Sequence, residues 1–187
     1  MLFNECGKSM IKGHLRIYEE ESQKVLLDRH NDIHPENFSL ALANSLSNNN
    51  NGFITEMVFG SNGVKVNASN EYFYSNPQTL GRTASLHNQT YSKSLIDKAD
   101  DTSYITVSHV NGNIFTDNLV HCTLGKNEPV GQNVDRNDGE ISSEYVFSEV
   151  GLQTYGGDLL THICHYPIKK DINTTLVFDY LVRIQIV

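Results

Sequence analysis

Residues 174–187, TTLVFDYLVRIQIV, decide the fold. Large apolar side chains fall at every second position, Leu176, Phe178, Tyr180, Val182, Ile184 and Ile186, while Asp179, Arg183 and Gln185 occupy the other register. A period of two belongs to extended backbone, whose successive side chains point to opposite faces; a helix repeats every 3.6 residues. At about 3.3 Å per residue such a strand is roughly 45 Å long, enough to cross a small β domain, so its place is inside a sheet with a partner on each side.

The partners are read from the rest of the chain. Residues 10–31 form a hairpin: Ile11, His14, Leu15, Ile17 and Tyr18 lead out, 19–24 is a polar turn with three consecutive glutamates, and Val25, Leu26 and Leu27 return. Gly13 marks a candidate bulge. Pro35 and Glu36, with Asp32 or His34 at the cap, predict a helix to Ser47 that shows Phe38, Ala41, Leu42, Ser45 and Leu46 on one face. The run Asn48, Asn49, Asn50, Asn51 and Gly52 breaks it. Residues 53–59 read as a strand, and Asn62-Gly63 predicts a hairpin return over 64–66. A second Asn-Gly pair, Asn111-Gly112, joins strands over 104–110 and 114–124. A polar loop over 125–139 holds Pro129, residues 141–152 alternate again, and Gly156-Gly157 turns into 159–166, which Pro167 closes.

These elements predict one mainly β domain over 1–187: a β-sandwich or jelly-roll-like domain of about eight strands with one short inserted helix. Two segments stand apart. Residues 1–9, with Leu2 and Phe3, read as an N-terminal arm lying on another surface or as a frayed end. Residues 67–103 read as a long loop, and loops of that length are usually functional, disordered or ordered by a partner. Its aromatics, Tyr72, Phe73, Tyr74 and Tyr91, are candidate interface anchors together with Leu2 and Phe3; the alternative is that they tack the loop onto its own domain.

A net charge of −8, a pI near 5.4 and the lack of a basic run argue against direct nucleic-acid binding. No stretch reaches the apolar length of a membrane span, and MLFNECGKSM lacks the features of a signal peptide, so a cytosol-like compartment is expected. Cys6, Cys122 and Cys164 form no CxxC pair and read as reduced thiols.

Eight histidines raise a metal reading, with His121-Cys122 and His162, Cys164 and His165 as the clusters. On a strand His162 and Cys164 share a face while His165 points away, so a tetrahedral site needs ligands from elsewhere. A thiol nucleophile served by His121 or His165 lacks a tight turn or oxyanion hole nearby. With no phosphate loop, GxSxG elbow or HExxH helix either, the expectation is a protein without catalytic residues, cofactor or metal.

The segment from His30 to Phe38 (HNDIHPENF) and 42–47 (LANSLS), then 57–63 (MVFGSNG), resembles structural proteins of contractile-tailed bacteriophages. So do 147–152 (FSEVGL), 159–162 (LLTH), 167–170 (PIKK) and the closing strand. The resemblance implies a non-enzymatic neck (collar) component or capsid decoration protein. Such a protein forms a homo-oligomer and docks on other virion proteins (capsid, portal, neck or tail), assembling in the host cytoplasm. A carbohydrate- or receptor-binding module of the particle is the alternative; the lack of Trp counts against it.

Overall fold

The structure, a computed structural model, describes residues 9–69, 71–130 and 145–186. Among these described residues eleven strands, one helix and a 3-10 turn follow in order: β1 Ser9–Glu19, β2 Val25–Ile33, α1 Pro35–Leu46, the turn Asn50–Gly52, β3 Ile54–Gly60, β4 Val64–Val66, β5 Tyr72–Tyr74, β6 Gln89–Ser94, β7 Tyr104–Ser108, β8 Phe115–Leu124, β9 Val146–Thr154, β10 Leu159–Lys169 and β11 Leu176–Ile186. Nine strands make one antiparallel sheet in the order β6-β3-β9-β10-β2-β1-β11-β8-β7, and β4 and β5 pair separately.

The sheet folds over on itself at β2. Gly13 to Tyr18 of β1 pair along most of β2, but the last two residues of β2, Asp32 and Ile33, pair instead with His162 and Thr161 of β10. The two halves thus face each other as a β-sandwich, mainly β as expected. β11 runs inside the sheet: it pairs along its length with β1, from Ser9↔Ile186 to Glu19↔Leu176, and with β8, from Leu176↔Leu124 to Gln185↔Phe115. Its even-numbered residues Leu176, Phe178, Tyr180 and Val182 enter the core, where Leu15 and Ile17, Met57 and Phe59, Val120 and Cys122, and Phe147, Val150 and Leu152 meet them. Each large apolar side chain buried there contributes roughly 1.5–3 kcal/mol.

Helix α1 closes one end of the sandwich. His34 is its cap: Nδ1 accepts from the Asn37 amide (3.2 Å) and Nε2 donates to the Gly81 carbonyl (3.0 Å). Phe38 and Ala41 are buried as the spacing predicts, whereas Leu46, in the last turn, is 89% exposed.

Several local expectations are corrected. The Asn62-Gly63 hairpin does not form: β3 is already paired on both sides, with β6 and β9, and β4 pairs with β5 instead. The Gly63 amide bonds the Ser148 hydroxyl on β9 (3.0 Å), so the turn is spent on a distant strand. Gly13 marks no bulge, because the irregularity in β1 lies at Ile17/Tyr18; a Cβ at Gly13 would sit 1.6 Å from Asn31 Oδ1, so the glycine makes room for that side chain. Pro167 does not end its strand: β10 continues to Lys169, and Pro167 occupies a register shift between Cys164 and Ile168, where its missing N–H costs no ladder bond. Residues 67–103 contain β5 and β6 rather than loop alone. The second Asn-Gly hairpin forms, Tyr104↔His121 to Ser108↔Asp117, with Gly112 at φ +92.

Candidate functional site

The chemistry-bearing side chains converge around Glu149 on β9. Its carboxylate is fully buried, yet each oxygen has two donors. Oε1 accepts from the Asn62 amide (3.1 Å) and the Asn88 amide (2.9 Å), and Oε2 from the His87 amide (2.8 Å) and His162 Nε2 (3.0 Å). A backbone amide, that of Gln78, donates to His162 Nδ1 at 2.7 Å. An amide can only donate, so Nδ1 carries the lone pair and the ring proton sits on Nε2, aimed at Glu149. Burial alone would push the Glu149 carboxyl up, but His162 and the amides of Asn88, His87 and Asn62 outweigh it and hold it below the ordinary carboxylate value.

His87, Glu149, His162 and Cys164 bring ligand atoms within 4.8 Å of one another, and His162 and Cys164 do share a face (3.6 Å). Their bonding as arranged does not fit an ion. Both oxygens of Glu149 are saturated, and a metal on His162 Nε2 would have to strip the proton from a ring whose other nitrogen already takes an amide, leaving an imidazolate. His165 stands outside the cluster, its Nδ1 donating to the Tyr166 carbonyl (2.7 Å), and burial pushes its pKa down to about 4. What the arrangement does is mechanical: Glu149 and His162 clamp the turn after β3 and residues 78–88 onto β9 and β10.

Of the two cysteines among the described residues, neither is a poised nucleophile; Cys6 lies outside them. Burial pushes the thiols of Cys122 and Cys164 up to about 12. His121 lies on the face opposite Cys122, with Nδ1 2.6 Å from Asp179 Oδ1 and its ring stacked on Tyr104, while Cys122 points into the core.

The aromatic anchor candidates separate into two groups. Tyr72, Phe73 and Tyr74 form β5 and are 42%, 55% and 52% exposed, with Tyr72 packed edge-on against Tyr166 of β10. Tyr91 serves its own domain: its hydroxyl donates to Glu128 Oε1 (2.7 Å) and its ring lies 5.9 Å from Phe59. Leu2 and Phe3 lie outside the described residues.

β7 is marked by the sequence as a strand but not as the edge of a sheet. It ends the nine-stranded sheet, and among the described residues β8 is its sole ladder partner. The strand YITVS carries no charge and no proline, and Val107 is 69% exposed. Ile105 and Val107 border an apolar groove of about 360 Å³ shared with Phe38, Leu42, Phe53 and Ile184. Comparison with protein-family models, curated proteins and solved structures finds no match.

Proposed function

We propose that the protein is a non-enzymatic structural component of a tailed-phage particle. It self-associates through the edge of β7 and docks on a second virion protein at the neck or capsid. The observation that carries self-association is the uncharged, apolar edge of β7 beside an open groove. Sheets guard their edges with lysine, proline or bulges because a bare row of N–H and C=O groups recruits another strand. β7 has no such guard. Antiparallel pairing of two copies about Thr106 would set Ile105 opposite Val107 of the second copy and bring no like charges together. The exposed hairpin aromatics Tyr72, Phe73 and Tyr74 offer a separate surface for the second virion protein. The phage setting, with assembly in the host cytoplasm, follows from the sequence resemblance. Among the described residues no helix is long and apolar enough to cross a membrane.

Light scattering over a range of concentration tests this. The expected result is a discrete oligomer that Val107→Lys converts to a monomer with an unchanged melting midpoint. A wild-type protein that stays monomeric at every concentration overturns self-association through β7. The second reading, a carbohydrate- or receptor-binding module, is favoured by a polar cleft beside Tyr104.

A further inference from the structure

Residues 95–103 cross from β6 to β7 and form one wall of a cleft of about 800 Å³, within the size range of small-molecule sites. The wall is held in one geometry. Lys93 Nζ on β6 bridges Asp100 Oδ2 (2.8 Å) and Glu128 Oε1 (2.7 Å), and Asp100 Oδ1 accepts from the Thr102 amide (2.9 Å). Across the cleft Tyr104 is 43% exposed and stacks on His121, ring centroids 4.8 Å apart and planes 20° apart. Asp179 fixes His121 from behind, so the tyrosine ring rests on a braced platform.

The lining selects a ligand by its chemistry. Five carboxylates, those of Glu20, Asp97, Asp100, Asp101 and Glu128, face one lysine that is already ion-paired, so an anion is repelled. Ser92, Ser94, Thr102, Thr123 and Thr175 add hydroxyls to the lining, so an apolar ligand would leave them unpaired. A sugar ring meets both demands. Its C–H face packs on an aromatic ring, and its hydroxyls or an ammonium donate to carboxylates through charge-assisted hydrogen bonds.

We infer that this cleft is a saccharide site for neutral or amino sugars, with Tyr104 as the stacking platform and Asp97 and Asp101 as acceptors. The inference deepens the second reading above and is independent of self-association.

The test is a glycan array of neutral, amino and acidic saccharides probed with the full chain, followed by calorimetric titration with chitotriose and with a glucosamine trimer. The expected result is saturable binding confined to neutral or amino sugars. It weakens at least tenfold in Tyr104→Leu, which keeps a strand-compatible apolar residue, and in Asp101→Asn, and it is unchanged in Tyr72→Ala. Melting curves of the variants confirm that they fold. The monomeric Val107→Lys variant retains binding, which separates a failure of the sugar site from a failure of self-association. Absence of saturable binding across the array, preference for acidic sugars, or binding indifferent to both cleft substitutions overturns the inference.

Discussion

Phe59 of β3 and Phe178 of β11 meet edge to face with ring centroids 5.0 Å apart, although their strands lie in opposite halves of the folded sheet and share no ladder bond. Phe147 packs on the same Phe59 ring at 5.1 Å. The contact joins the two layers, so its loss should be felt by the whole domain. Phe178→Ala is expected to cost about 3–5 kcal/mol, the sum of lost transfer energy and the cavity left behind, and Phe59→Leu distinctly less. Urea unfolding measures both. A cost for Phe178→Ala under about 1 kcal/mol would mean that the layers are held elsewhere.

The strand that carries Phe178 was legible because its alternation is strict and long. Helix α1 was legible too, since Pro35 and the spacing of Phe38 and Ala41 are local signals. The Glu149 clamp was not. Nothing near Glu149 in sequence indicates that Asn62, His87 and Asn88 will turn their amides toward it, and a buried carboxylate in FSEVGL looks like any polar strand residue. β6 escaped for a related reason: QTYSKS is a polar edge strand, whose identity comes from pairing with β3 and not from its own pattern. Asn62-Gly63 was misread because a dipeptide signals a turn but cannot say which strand the returning chain will join.

The clamp sets a pH dependence. The folded carboxyl of Glu149 lies below its ordinary value, so its stabilisation is fully present above the unfolded pKa of about 4.3 and is lost as pH falls through the lower folded value. At pH 7 Glu149→Gln should cost about 1.5–3 kcal/mol, the scale of lost hydrogen bonds to a charged group. The gap between variant and wild type should begin to narrow as the pH falls below the unfolded value of about 4.3 and close only below the folded one. Urea titrations at pH 7 and pH 3 give both numbers; a neutral substitution at pH 7 contradicts the clamp. Dialysis against a chelator should leave the melting midpoint unchanged, since Glu149 and His162 are engaged with each other and with backbone amides, and the His87 ring with the Asn76 carbonyl (3.0 Å).

The two core thiols should be silent. With Cys122 and Cys164 pushed up to about 12, almost no thiolate exists at pH 8, and both side chains are buried. In a Cys6→Ser background a chromogenic disulfide reagent should report no fast-reacting thiol until denaturant is added, and two afterwards. A rapid native reaction at either residue would show that β8 or β10 opens locally.

The Lys93 bridge gives the last prediction. Burial would raise the Asp100 carboxyl, but Lys93 and Thr102 outweigh it and bring it down to about 2, while Lys93 itself is held above its ordinary value and stays charged. A depressed carboxylate stabilises the fold above the unfolded value of about 3.9 and loses that contribution between there and about pH 2. Lys93→Met removes the bridge and leaves the Asp100 and Glu128 carboxylates without their shared cation. The pair is partly exposed, so the cost at pH 7 should be about 1–2 kcal/mol, less than for a fully buried pair. That cost should shrink steadily from pH 4 to pH 2, as protonation of Asp100 weakens the bridge in the wild type. A cost that stays constant with pH would assign the effect to lost packing of the lysine stem and not to the ion pair.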